Sequence, residues 1–427
     1  MKDFLKYCLT LVLILGITIA AFSIGANMAS GKSAYEIAVE QGYDGTVDEW
    51  LTSLKGSDGQ DAPALKSLYN NAVEQGFSGD IYDFVESELN IDNAEKYIYG
   101  ANKGLVSVVS VNCQFTSTDM LASQFMGAGS GVLYDMDKEE GDAYVITNYH
   151  VVYNHNSVEG VSQKIMVYLY GMEYAEYGIS AEYIGGSNQF DIAVLKISNN
   201  KIIQNANAQG VKIGNRAIIG QTAIAIGNPE AEGISVTKGI VSKLDEYIEI
   251  GSAKNTTTTL NVMRIDTAIN SGNSGGGLFD ANGELIGIVN AKVVATGVEG
   301  VGYALPVERV IPLVDTIIDT HTQGDPYRCV LGISVKAVSS ASVYNYDRLT
   351  NDIVQKVVIA QGNDLLKEGD VLISIQKGDY IQKINSVSDV QNFVLGLRQK
   401  DKLTFNIVRN DTTISIDMVV EDTIPLD

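Results

Sequence analysis

Between Gly104 and Pro306 the chain is written as short runs rich in Val, Ile, Leu and Tyr, each closed by Gly, Asn or Asp. No other feature restricts the fold as much. The runs are LVSVVSV from Leu105, SGVLYD from Ser130, AYVIT from Ala143, IMVYLY from Ile165, DIAVLKI from Asp191, TAIAIG from Thr222, ISVTKGIVS from Ile234 and ELIGIVNAKV from Glu284. Runs of this length with turn residues between them read as strands, and almost nothing before Pro306 carries the period of a long helix. The expected fold is an all-β barrel or sandwich. Parallel α/β folds are disfavoured, because their successive strands need a crossover helix. From Pro306 to Thr320, PVERVIPLVDTIIDT places apolar residues at helical spacing and predicts a helix closing this region. Gly324-Asp325-Pro326 then marks a linker. The remaining chain alternates strand-like runs (VLGISV, KVVIA, DVLISI, LTFNIV, ISIDMVV) with a helical run near Ser388 to Arg398, so a second, smaller module follows.

The amino-terminal part is of another kind. Between Lys6 and Lys32 lie 25 consecutive uncharged residues, enough to cross a hydrocarbon core of ~30 Å as a helix. Lys2 and Lys6 precede this run and an acidic stretch follows it, so the positive-inside rule places the amino terminus in the cytoplasm and the rest outside. A cleaved signal peptide is the alternative, with small residues at Ala21, Ser23 and Ala26. Next come two copies of one pattern, YEIAVEQGYDGTVDEWL from Tyr35 and YNNAVEQGFSGDIYDFV from Tyr69, offset by 34 residues. Each reads as a small helical hairpin, with Trp50 and Phe84 as equivalent anchors. These repeats read as a spacer or a cell-wall or partner-binding module. The expected boundaries are 1–30 for leader and anchor, 31–95 for the repeats, 100–322 for the main β domain and 325–427 for the last module. A formal charge of -22 over 427 residues argues against binding to nucleic acid or to anionic lipid head groups. Of three cysteines, Cys8 falls in the apolar run, which leaves at most one bridge, Cys113 to Cys329.

Within the β region the reactive residue types gather at three places: Thr147-Asn148-Tyr149-His150-Val151-Val152, Phe190-Asp191-Ile192, and Gly272-Asn273-Ser274-Gly275-Gly276. A serine hydroxyl is a weak nucleophile that needs a base beside it, and the base needs a buried carboxylate to hold its tautomer. His150, Asp191 and Ser274 can supply those parts. The chain has three histidines, and of these His150 stands in the apolar TNYHVV context ahead of both partners, whereas His155 lies in a polar loop and His321 ends the predicted helix. The order His, Asp, Ser is that of chymotrypsin-type proteases. Glycines around Ser274 would let the amides of Gly272 and Ser274 converge on a developing oxyanion. No grouping has metal-ligand spacing, and neither a metal nor a cofactor is expected.

Taken together, GAGSGVLYD, ITNYHVV, FDIAVLKI, AIGNPEAEGISVTKGIVS, RIDTAINSGNSGGGLFDANGELIGI and GVGYALP resemble the HtrA/Deg-type serine proteases from about Leu105 to the end. The resemblance implies a mainly β fold: a chymotrypsin-like double β-barrel followed by a PDZ domain, here behind a transmembrane helix and two helical repeats. It implies His150 as general base, Asp191 as its orienting carboxylate, Ser274 as nucleophile, and Gly272 and Ser274 as oxyanion donors. Ala268, six positions before Ser274, would form the base of the specificity pocket, and without a carboxylate there the preference should be for small or medium aliphatic residues. Val330-Leu331-Gly332-Ile333 resembles the loop that holds a peptide's terminal carboxylate. The implied substrates are misfolded or exported proteins, and the implied assembly is a homotrimer or larger. A noncatalytic holdase that uses the PDZ module, or a sensor protease with one signalling substrate, are the alternatives. Three departures stand out: Tyr149 before the histidine, Ser271 for a common Pro, and Gly277 where Pro is usual, which would loosen the turn. In the last module QGNDLLKEGD replaces the small-residue helix usual before GDVI, which would alter the peptide groove.

Overall fold

The computed structural model describes residues 96–118, 124–251, 257–291, 300–322, 324–345 and 350–426, with Val73 as one further described position. The chain divides into two compact units, Met1–Asn90 and Ile91–Asp427. The uncharged run between Lys6 and Lys32 and, Val73 apart, both repeats lie outside the described residues; among those described, no helix is long and apolar enough to cross a membrane.

After a short helix α1 (Lys96–Leu105) the second unit builds two closed barrels. The first contains β1 (Val108–Thr116), β2 (Gln124–Asp137), β3 (Asp142–Thr147), β4 (Lys164–Leu169), β5 (Ile179–Ser187) and β6 (Ile192–Ile197), closed in the order β1-β2-β3-β6-β5-β4. The second contains β7 (Thr222–Gly227), β8 (Ser235–Gly251), β9 (Thr257–Ile265), β10 (Gly277–Phe279), β11 (Leu285–Val289) and β12 (Gly302–Pro306), closed as β10-β11-β12-β9-β8-β7. All their strand pairs are antiparallel, and closure leaves no edge open. Short helices α2 (Tyr149–Val152) and α3 (Lys201–Asn205) punctuate the first barrel.

Strand faces explain the packing. Val109, Val111, Leu133, Val145 and Leu195 fill the first barrel, and Ala223, Val241, Ile265 and Ile286 fill the second. The opposite faces of the same strands also find cover: Val132, Ile146 and Val194 of one barrel meet Ile224, Val262 and Ile288 of the other in a third cluster. Full burial of each such side chain is worth roughly 1.5–3 kcal/mol, so the barrels are pressed together and not merely linked. Helix α4 (Val307–His321) lays Val310, Leu313, Val314 and Ile317 on that same cluster, as its helical spacing predicts.

The remaining residues form β13 (Tyr327–Cys329), β14 (Ser334–Asn345), β15 (Thr350–Gln361), β16 (Val371–Lys377), β17 (Tyr380–Lys383), helix α5 (Val387–Leu395), β18 (Lys402–Arg409), β19 (Thr412–Val419) and β20 (Thr423–Pro425). The main sheet runs β14-β15-β16-β18-β19, with β17 on β16 and a separate β13-β20 pair. Ser386 caps α5 by accepting from the Asp389 N–H at 3.1 Å. This module has its own core around Phe405, Leu372 and Val357, yet Leu395 belongs to the cluster beneath α4. Arg309 of α4 is buried and reaches the Asn392 Oδ1 at 3.0 Å and the Gln391 Oε1 at 3.3 Å. Arg216 collects Asp245, Glu308 and Asp389 at 3.1–3.3 Å, joining α4 to α5 from the side. The segment at Gly324-Asp325-Pro326 therefore links two modules that share a buried interface. Cys113 and Cys329 are both buried free thiols, one in each module, so the bridge that the sequence allows is not formed. Burial pushes the Cys113 thiol up to about 12 and also raises that of Cys329, which keeps both protonated and unreactive.

Candidate active site

His150, Asp191 and Ser274 come together in the cleft between the barrels, the first two from one barrel and the third from the other. β3 pairs with β6 so that Thr147 faces Ala193, and the chain turns into α2 just beyond this pair. His150 thus lies beside the turn that carries Asp191 into β6. The His150 Nδ1 is 2.7 Å from the Asp191 Oδ2, and its Nε2 is 2.9 Å from the Ser274 Oγ. A carboxylate can only accept, so Nδ1 carries the proton and Nε2 presents its lone pair to the serine hydroxyl. Asp191 is nearly buried and adopts a positive φ of 53°. Its other oxygen accepts the His150 backbone N–H at 3.0 Å.

Two residues that the sequence reading passed over hold this aspartate. The Asn290 Nδ2 donates to the Asp191 Oδ2 at 2.7 Å, and the Asn148 Nδ2 donates to the Asp191 backbone carbonyl at 2.8 Å. Both asparagines are fully buried. Asn290 directly follows β11, and a polar residue ending so apolar a strand as ELIGIV was the available signal.

The turn from Ser271 to Gly276 is shaped by its carbonyls. Ser271 O accepts from the Glu230 N–H at 2.8 Å, Gly272 O from the Ser130 Oγ at 2.7 Å, Asn273 O from the Gly276 N–H at 3.0 Å and Ser274 O from the Ser130 N–H at 2.8 Å. The amides of Asn273, Gly275 and Gly276 donate within the fold, whereas those of Gly272 and Ser274 have no protein acceptor among the described residues. These two are the amides that the sequence assigned to an oxyanion. Gly272 has a φ of 93°, and a Cβ there would strike the Asn228 carbonyl, so no other residue fits this turn without displacement. Ser130 ties the barrels together here. Its hydroxyl donates to Gly272 O while accepting from the Asn228 N–H at 2.8 Å. The neighbouring Gly129 leaves room for Val151 of α2, whose methyls would lie 2.7 Å from an added Cβ.

The residues placed here match the trypsin-like peptidase domain family over 129–288. A serine protease Do-like HtrA of Lactococcus lactis is 30% identical over 337 residues, which cover 75% of this chain and 74% of that protein. The chain belongs to the HtrA family. A serine protease Do-like HtrA of Bacillus subtilis is 31% identical over 300 residues, 69% of this chain, and the chain spans 59% of that relative's length. Among solved structures, an HtrA-type protease AlgW with decapeptide is 25% identical, with a TM-score of 0.49, over 78% of this chain and 99% of that one.

Two of the departures from the HtrA pattern have structural explanations. Tyr149 turns inward and stacks on Tyr153 at 5.2 Å between ring centres. Gly277 does not loosen the turn, because it lies inside β10, paired with Ile288 and Ile226, and the Phe279 ring fills the space where its side chain would be. Ala268 is exposed between the buried Thr267 and Ile269, and its carbonyl accepts from the Thr237 Oγ1 at 2.9 Å. In the loop Val330-Leu331-Gly332-Ile333, Val330 already donates its N–H to the Asp422 carbonyl at 3.0 Å, which leaves Leu331, Gly332 and Ile333 as candidate donors. That loop is braced by the Asn363 Nδ2, 3.0 Å from Leu331 O. The expected change in QGNDLLKEGD is present, since no helix forms: Asn363 Oδ1 accepts the amides of Leu365 and Leu366 instead, and Leu366 plugs the core.

Proposed function

We propose that this protein is a serine endopeptidase that hydrolyses unfolded or exported polypeptides through an acyl-enzyme. One observation carries the reading: a single imidazole bridges a buried carboxylate and a serine hydroxyl beside two amides that have no protein acceptor among the described residues. Ser274 Oγ attacks the scissile carbonyl while its proton passes to His150 Nε2, and Asp191 stabilises the imidazolium that results. The amides of Gly272 and Ser274 receive the oxyanion, a contribution of about 3–4 kcal/mol per donor in related chemistry. The proton then moves from Nε2 to the departing amine, leaving an ester on Ser274, and a water activated by the same histidine releases the product acid.

The finer parts of the reading concern place and partners. The uncharged run before Lys32 anchors the chain with its barrels outside the cell, the last module is a PDZ domain whose loop at Leu331–Ile333 receives chain ends, and the active form is a trimer or larger. The catalytic reading is tested by labelling the purified protein with a fluorophosphonate. Stoichiometric labelling of the native chain and none of Ser274→Ala is expected; a folded native protein that takes no label and cleaves no casein would remove the proposal. Shaving intact cells with an added protease tests the topology, which requires the barrels to be lost before lysis.

A further inference from the structure

We propose that the cavity between α4, α5 and the β16–β17 turn binds a small organic cation with an apolar body, of the arylalkyl amine type, and that this ligand holds the last module against the barrels. The cavity measures about 640 Å³, and none of the triad residues lines it. That size is ordinary for small-molecule clefts, which favour the seams between domains. Both modules supply walls. Ile213 and Arg216, ahead of β7, and Ile311 and Pro312 of α4 come from the barrel side, while Tyr380 of β17 and Phe393 of α5 come from the last module. The two rings lie within 8° of parallel with centres 6.4 Å apart, so an apolar body meets aromatic as well as aliphatic surface. A ligand touching both sides binds the docked arrangement alone and therefore stabilises it.

Charge selects the sign of the ligand. Among the lining residues and their ion-pair partners, Arg216 and Lys377 stand against Asp245, Glu308, Asp389 and Asp401. The next charges out cancel, since Arg309 acts on Glu308 and Asp352 on Arg216. An acidic excess remains, and it is focused on one atom. Lys377 takes the Asp401 Oδ2 at 2.6 Å. The Asp245 Oδ1 accepts from the Ser388 Oγ at 2.7 Å and the Asn261 Nδ2 at 3.1 Å, and its Oδ2 accepts from Arg216 at 3.1 Å. The Asp389 Oδ1 accepts from Arg216 at 3.2 Å and its Oδ2 from the Asn385 N–H at 2.8 Å. Glu308 differs. Its Oε1 faces the Arg216 Nε at 3.3 Å as an ion pair, whereas its Oε2 is buried with no hydrogen-bond partner among the described residues. Burial pushes the Glu308 carboxyl up against the pull of Arg216. An ammonium or guanidinium satisfies such an oxygen through a charge-assisted hydrogen bond. The faces of Tyr380 and Phe393 add their own attraction for a cation. An anion of the same shape gains none of this.

The test titrates the full-length protein calorimetrically with phenethylamine and with 3-phenylpropionate, which has a similar body and the opposite charge, and follows the thermal midpoint with each. The amine is expected to bind once per chain and to raise the midpoint, and the propionate to bind at least ~10-fold more weakly. Glu308→Gln should weaken the amine at least ~10-fold, as the loss of a hydrogen bond to a charged group. Tyr380→Ala should weaken it a few-fold through the missing ring. Tyr380 is 60% exposed, so this second variant tests the site even where Glu308→Gln does not fold. No binding of millimolar phenethylamine, or equal affinity for amine and propionate, overturns the proposal. So does an affinity that every folded variant leaves unchanged, which would put the amine elsewhere, such as the cleft at Ser274. Binding that leaves the midpoint where it was would remove the clamp.

Discussion

Asn290 shows how much of this site depends on a fully buried residue behind the triad. Its amide occupies one lone pair of the Asp191 Oδ2, and His150 Nδ1 takes another, so the carboxylate is fixed by donors on both sides. Asn290→Leu keeps the volume and removes the donor. kcat should fall about 10–100-fold, the equivalent of one buried hydrogen bond to a charged group, with KM little changed. Steady-state kinetics on the folded variant measures this, and an unchanged kcat would mean that the amide is dispensable. Sequence order and the scarcity of histidines made His150, Asp191 and Ser274 legible. Asn290, Asn148 and Ser130 were not, since the side-chain donations that hold the site reach partners 43, 99 and 142 positions away and carry no local period.

Secondary structure was most readable where one face is buried, since alternation and helical spacing record that burial directly. Each β-rich run before Pro306 contains a strand, although Leu105 of the first run closes α1 and the strand in ELIGIVNAKV ends at Val289, and the helix was found at Val307–His321. The far half of β14 was not recognised, because VSSASVYN is exposed on both faces and so carries no alternation. The contact of α4 with α5 was equally hidden, as nothing in Arg309 announces neutral partners beyond the linker. Arg309→Met should lower stability by about 2 kcal/mol or more, through the carbonyl of Asn261 and the amides of Gln391 and Asn392 left without their donor. Chemical denaturation measures this, and an unchanged midpoint would make the contact incidental. Within the last module the Arg409 guanidinium holds the Asp370 carboxyl below the ordinary carboxylate range, with contacts of 2.6–2.7 Å. A depressed acid stabilises the fold above its ordinary value and loses that contribution as the pH falls through the depressed one. The thermal midpoint of Asp370→Asn should therefore lie below that of the native chain at pH 7, and the gap should close below about pH 4. A gap independent of pH would contradict the assignment.

At the scale of the molecule, the last module is part of what holds the second unit together. A tether at Gly324 would predict that a chain ending there keeps its peptidase activity and loses only its grip on large substrates. Leu395 within the cluster under α4, and the buried Thr316 and Thr320 on that helix, argue for a different outcome. The shortened chain should unfold at a lower temperature and bind more hydrophobic dye, because the face of α4 that met α5 becomes exposed; an unchanged midpoint would restore the tether. The division of the site between two barrels reaches further. A chain still being synthesised possesses its base and carboxylate long before it has a hydroxyl for them to activate, so a nascent molecule is harmless to its neighbours. On the proposed catalytic reading the same division would disarm a failing molecule, because parting the barrels takes Ser274 from His150, and Ser130 from Gly272, without unravelling either half.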